Sequence, residues 1–216
     1  MKNLVVLVSG SGSNLQAILD ACEQGKINGR VSAVISNRPG VRGLIRAVQA
    51  GADAITIDHK LYASRAEFDA ELSRRIDQYQ PDFLVLAGFM RILTDEFVNR
   101  YVGKMVNIHP SLLPKYTGLQ THQRAIDAGD TFAGATVHYV TPELDGGPLI
   151  MQIQVAIAAN DDALALSKRV LAAEHALYPQ VIQWLCEGRL TLAEGIAHLD
   201  QKPLHLPVQM NNTSTC

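Results

Sequence analysis

"NLVVLVSGSGSNLQAILDACE", residues 3 to 23, decides the fold. Residues 4–8 form a short, continuous apolar run without alternation, as expected of a strand buried on both faces. Residues 9–13 are serine and glycine alone, which reads as a loop. Leu15, Ile18, Leu19 and Cys22 then recur at helical spacing. Strand, glycine loop and helix in this order open a parallel α/β sheet. Gly10 and Gly12 let the backbone approach a ligand, and the helix start beyond them presents free N–H groups to an anion.

The alternation continues outward from there. Residues 31–35, 54–57 and 83–87 read as further strands, with a short helix over 43–50. Ser64-Arg65-Ala66-Glu67 has the capping-box pattern and opens a helix to about residue 79, before Pro81. A strand over 105–107 follows. Residues 135–140 and 149–156, joined by the tight "TPELDGG", suggest an antiparallel pair. A long helix is expected over 162–185, broken or kinked near Pro179. The expected fold class is α/β, a doubly wound, mostly parallel sheet with an antiparallel strand pair toward the C-terminus. Residues 1–200 would form a single domain, and 201–216, which lack periodicity, a loose tail.

Composition narrows the function classes. The 216 residues are 47% hydrophobic and 19% charged, an ordinary globular profile. A net charge of −2 argues against a nucleic-acid partner, which needs a basic surface. Cys22, Cys186 and Cys216 are too scattered for a disulfide framework, so reduced thiols and a cytoplasmic location are expected. The apolar run after Lys2 is shorter than the ~7–15 residues of a secretory core, and nothing approaches the ~20 apolar residues of a membrane span. His109, His122, His138 and His175 lack ligand spacing, so no metal is expected. Monomer and homodimer both stay open.

Ligands of open parallel sheets bind beyond the carboxyl ends of the strands, where three unusual loops of this sequence fall. In "VNIHPSLLPKYTG", 106–118, alternation puts Asn107 and His109 on one side of the chain and Ile108 on the other. Pro110 keeps His109 out of helical conformation. An amide donor beside an imidazole suits a reaction that develops negative charge on a carbonyl oxygen, although a histidine satisfied by backbone is the alternative. In "ELDGGP", 143–148, Asp145 is a turn aspartate unless the loop folds back to His109, where its carboxylate would favour the imidazolium. In the glycine loop a dinucleotide fingerprint fails at its third glycine, which is Leu15, and Ser36-Asn37-Arg38 offers no acid to a ribose. A phosphate cradle, an NADP site using Arg38 and a plain connecting turn all remain for it.

"SGSGSNLQA", "LAGFMRIL", "NIHPSLLPKYTG" and "ELDGGP", in that order, resemble the glycinamide ribonucleotide formyltransferases of purine biosynthesis, within the folate-dependent formyltransferase superfamily. The likeness runs from residue 3 to about residue 190 and departs at Thr117, where the family pattern has proline. It implies the Rossmann-like formyltransferase fold. It also implies 10-formyltetrahydrofolate as co-substrate, with its formyl group passing to the primary amine of glycinamide ribonucleotide. Asn107, His109 and Asp145 would be catalytic; Gly12, Ser13 and Asn14 would hold the substrate phosphate, and Glu174 the ribose hydroxyls. Arg65, Met90, Arg91, Ile92 and Leu93 would line the folate site, completed by Thr141, Pro142, Glu143, Leu144 and Asp145. A methionyl-tRNA formyltransferase would need a further basic domain, for which length and charge are lacking. A formyltetrahydrofolate deformylase would ordinarily carry a regulatory domain before the catalytic one. An NADP-binding Rossmann reductase would leave Asn107, His109 and Asp145 without a role.

Overall fold

The structure, a computed structural model, describes residues 1–211. The chain runs β1 (Lys2–Val8), α1 (Ser13–Glu23), β2 (Gly29–Ser36), α2 (Arg42–Gln49), β3 (Asp53–Thr56), α3 (Arg65–Asp77), β4 (Phe83–Leu86), α4 (Asp95–Arg100) and β5 (Met105–His109). It continues through α5 (Thr121–Asp127), β6 (Phe132–Tyr139), β7 (Leu149–Ala156) and α6 (Ala163–Cys186). Four short strands follow: β8 (Leu190–Ala193), β9 (Ile196–Leu199), β10 (Lys202–Pro203) and β11 (Val208–Met210). The main sheet has the order β11-β7-β6-β5-β4-β1-β2-β3. β6 runs antiparallel to both its neighbours, and every other pairing in this sheet is parallel. This is the expected doubly wound, mostly parallel sheet with its antiparallel pair.

The continuous apolar strands face two cores, as a sheet covered on both sides requires. Leu4, Val6 and Val8 of β1 join a core with Leu15, Ile18, Val170, Leu177 and Tyr178 of α1 and α6. Val5 and Leu7 join a second core with Phe68, Leu72 and Ile76 of α3 and Phe97 of α4. On β5, Val106 and Ile108 fall in the first core and Met105 in the second. By alternation Asn107 and His109 stand on the Met105 face. Tyr178 Oη lies 2.9 Å from the Leu86 carbonyl and 3.1 Å from that of Val106, so its hydroxyl fastens α6 across β4 and β5.

Local signals hold where side chains close backbone bonds. Ser64 accepts from the Glu67 N–H, and the Glu67 carboxylate reaches back to the N–H of Ala63. Three expectations change. Of the break or kink expected near Pro179, the break does not occur: α6 is continuous there, and a long apolar face holds it against the sheet. β6 begins at Phe132, three residues before the apolar run suggested. The stretch 201–211 does not lack regular structure: β10 pairs with β9 in a small antiparallel sheet, and β11 adds a parallel edge to β7. Residues 212–216, the remainder of the expected tail, lie outside the described residues.

Candidate active site

β5 delivers Asn107 and His109 to one face, and the register pairs Asn107 with His138 of β6 and His109 with Thr136. The neighbouring strand thereby supplies a second imidazole. His138 is 2% exposed, and burial pushes its pKa down, the hydrogen bond to the Tyr139 carbonyl and the Asp145 carboxylate opposing only in part. Neutral His138 donates from Nδ1 to the Tyr139 carbonyl at 2.8 Å, which leaves Nε2 as an acceptor. Asn107 Nδ2 lies 3.2 Å from that Nε2. One amide hydrogen of Asn107 is spent there, the orientation of the amide is fixed, and its other hydrogen is available to a ligand.

The link between β6 and β7 folds back over this face. Asp145 sits at φ +53°, and Gly147 lies so close to β6 that a Cβ on it would be 1.8 Å from the Tyr139 carbonyl oxygen. Asp145 Oδ2 is 3.4 Å from His109 Nδ1, and Oδ1 is 3.9 Å from His138 Nε2. The same Oδ2 accepts the Gly118 N–H at 2.8 Å. His109 Nε2 bonds the Tyr116 carbonyl at 2.8 Å. Thus the loop after β5 holds both partners, His109 through residue 116 and Asp145 through residue 118. Thr117, where the family pattern departs, lies between these two anchors and gives its carbonyl to Arg124 at 2.6 Å.

The glycine loop lies on the other side of the switch in strand order. Gly12, at φ +68°, packs where a Cβ would come 2.7 Å from Gly43 Cα, and no side chain caps α1. The first N–H groups of α1, at Ser13 and Asn14, therefore stay open to an anion. The Asn14 side chain is directed elsewhere: its Nδ2 donates to Glu174 Oε2 at 2.7 Å, and its Oδ1 is buried without a partner. Burial pushes the Glu174 carboxyl up to about 7 against that single hydrogen bond. Ser9 joins the loops after β1, β2 and β4, its Oγ donating to Asn37 and accepting the Met90 N–H at 2.7 Å.

Among the remaining candidates, Met90 and Ile92 are 60% and 55% exposed, Leu93 is buried, and Arg91 stacks its guanidinium 4.5 Å over the Phe68 ring. Arg65 is exposed at the first turn of α3. Thr141, Pro142, Glu143 and Leu144 lie on the folded-back link, with Leu144 53% exposed. The structure brings Asn107, His109 and Asp145 together and joins Asn14 to Glu174, and it shows no contact between these two groups. A groove of about 510 Å³ between α1 and α6, lined by Arg46, Lys26 and His175, contains Ser13 but none of the Asn107 cluster. Sequence reasoning missed His138, because only the β5–β6 register reveals that it faces Asn107. Among the described residues no group of three or more histidine, cysteine or acidic side chains could hold a metal, and no helix is long and apolar enough to cross a membrane.

Comparison with known proteins places this geometry in a lineage. The formyl transferase family profile matches residues 2–182. The chain is 52% identical to phosphoribosylglycinamide formyltransferase of Escherichia coli over 202 residues, 94% of this chain and 95% of that one. It is 45% identical to the Haemophilus influenzae protein of the same name, covering 94% and 96%. The solved phosphoribosylglycinamide formyltransferase of Coxiella burnetii, in complex with CHES, superposes with a TM-score of 0.93 at 48% identity, covering 97% of this chain and 99% of that one. The chain belongs to the formyl transferase family.

Proposed function

We propose that this protein transfers the formyl group of 10-formyltetrahydrofolate to the amine of glycinamide ribonucleotide, as a cytoplasmic enzyme of purine biosynthesis, with residues 1–200 as one catalytic domain. The observation that carries this reading is the convergence of Asn107, His109 and Asp145 on one face of β5 and β6 in a chain of this family. The neutral amine attacks the formyl carbon, and the carbonyl oxygen gains negative charge. The free amide hydrogen of Asn107 meets that oxygen. The Tyr116 carbonyl takes the Nε2 hydrogen of His109, so Nδ1, beside the Asp145 carboxylate, is the second donor in the imidazolium form that the reaction calls for. Collapse of the tetrahedral intermediate breaks the bond to the folate nitrogen. The proton released by the amine then passes to that nitrogen, through His109 and water ordered by Asp145.

Substrate recognition follows from the same placement. The open start of α1 at Gly12, Ser13 and Asn14 takes the phosphate through backbone N–H groups. Glu174 accepts the ribose hydroxyls, whose donors its buried carboxylate lacks. The exposed apolar side chains of Met90, Ile92 and Leu144, with Arg65, Arg91, Leu93 and the backbone of residues 141–145, form the folate side. No metal enters the mechanism.

The reaction is tested with purified protein, both substrates and a control without the amine. Tetrahydrofolate and formylated ribonucleotide should appear only in the complete mixture. Formate released without the amine would assign a deformylase-like hydrolase instead.

A further inference from the structure

The loop that anchors His109 and Asp145 spans a hollow. A cleft of about 390 Å³, lined by Ser111, Leu112, Tyr116, Phe132 and Gln152 among others, lies under residues 110–116. Apolar packing alone therefore does not hold this loop, and polar contacts from β6 and β7 do so. Thr136 donates to the Ser111 carbonyl at 2.6 Å and accepts the Leu113 N–H at 3.0 Å. Gln152, 7% exposed, uses both amide hydrogens: Nε2 donates to the Leu113 carbonyl at 2.8 Å and to Thr136 Oγ1 at 2.9 Å. With one hydrogen and two lone pairs, the Thr136 hydroxyl is then fully used. The Gln152 oxygen accepts Gln209 Nε2 at 3.3 Å, from the edge strand β11. Gln209 lies beyond the 2–182 stretch that matches the family.

We propose that Gln152 is a positioning residue for the reaction, and that Gln209 of β11 sets it, so that the C-terminal strand controls the loop that aims His109. The chain of contacts is short. Gln209 orients the Gln152 amide; Gln152 and Thr136 fix residues 111–113; and the loop then presents the Tyr116 carbonyl to His109 and the Gly118 N–H to Asp145. Gln152 and Gln209 make their hydrogen bonds to Leu113, Thr136 and each other rather than to Asn107, His109 or Asp145, and Thr136 stands opposite His109 in the β5–β6 register. The effect is on how often His109 and Asp145 stand in productive geometry, and this rests on the transferase mechanism proposed above.

The test uses full-length Gln152→Leu, Gln209→Leu and the double variant, with steady-state kinetics and amide hydrogen exchange by NMR. In Gln152→Leu, kcat should fall roughly tenfold with KM for both substrates within about twofold, and the Leu113 and Gly118 amides should exchange about tenfold faster. Gln209→Leu should move the same quantities in the same direction by about threefold. The double variant should be no worse than Gln152→Leu, since both act through one relay. Unchanged exchange at Leu113 and Gly118 in Gln152→Leu would overturn the proposal, as would faster exchange with kcat intact. Additive losses in the double variant would remove β11 from it. If Gln152→Leu does not fold, Gln209→Leu at its exposed edge position carries the same two readouts. A wild type without transferase activity would instead overturn the reaction, while the exchange rates would still decide whether the two glutamines hold the loop.

Discussion

Two carboxylates, the partly buried Asp145 and the buried Glu174, are treated by the protein in opposite ways. Asp145 accepts a backbone N–H from Gly118 and sits within 3.4 Å of one imidazole and 3.9 Å of another. Among the described residues Glu174 has the Asn14 amide alone, and burial pushes its pKa up to about 7. The first group is held by a backbone donor and faces His109, a placement that suits a carboxylate beside a reaction. The second is short of donors, which the ribose hydroxyls of the proposed substrate would supply. A buried carboxylate's partners, more than its burial, separate a charge that serves the chemistry from one that serves binding.

The largest effect expected from breaking this contrast lies on the Asn107 side. Asn107→Ala removes one oxyanion donor and should lower kcat by about 10²–10³ with little change in KM. Asp145→Asn keeps the shape but removes the charge beside His109. It should lower kcat by about 10–10² and move the pH–rate profile, and an unchanged profile would return Asp145 to the status of a turn residue. Glu174 should act on stability and on binding. Its carboxyl binds a proton more tightly folded than unfolded, so the associated stability is fully present below about pH 4.5 and lost as pH rises through about 7, at most about 3 kcal/mol. Glu174→Gln should therefore unfold with a flatter pH dependence between 4.5 and 8, measured by denaturant titration, while KM for the ribonucleotide rises. The smallest effect is expected at Tyr139, whose hydroxyl is fully buried without a partner in the core under α6. Tyr139→Phe should stabilise the protein by about 1 kcal/mol without altering kcat.

Legibility in the sequence followed the range of the forces involved. The β–α alternation through residue 109 is written in continuous apolar runs and helical stripes, and the folded chain keeps it. α4 and α5, with six and seven residues, are too short to show a period, and the strands after residue 189, two to four residues long, are too short as well. At the site, Asn107 and His109 were readable because alternation along one strand is local. That Asp145 reaches His109 depends on a link folding back over the sheet, which the glycines of "ELDGGP" permit but do not require. His138 facing Asn107, Asn14 meeting Glu174 across 160 residues, and Gln209 meeting Gln152 are products of register and topology, which no window of sequence displays.

The central claim is that His109, anchored by Tyr116 and set beside Asp145, stabilises the oxyanion of formyl transfer. Single-turnover transfer by His109→Ala, at saturating concentrations of both substrates and beside the wild type, tests it most directly. A rate lower by about 10²–10³, with an unfolding midpoint close to that of the wild type, is the predicted result. A folded His109→Ala that transfers the formyl group at near wild-type rate would contradict the account.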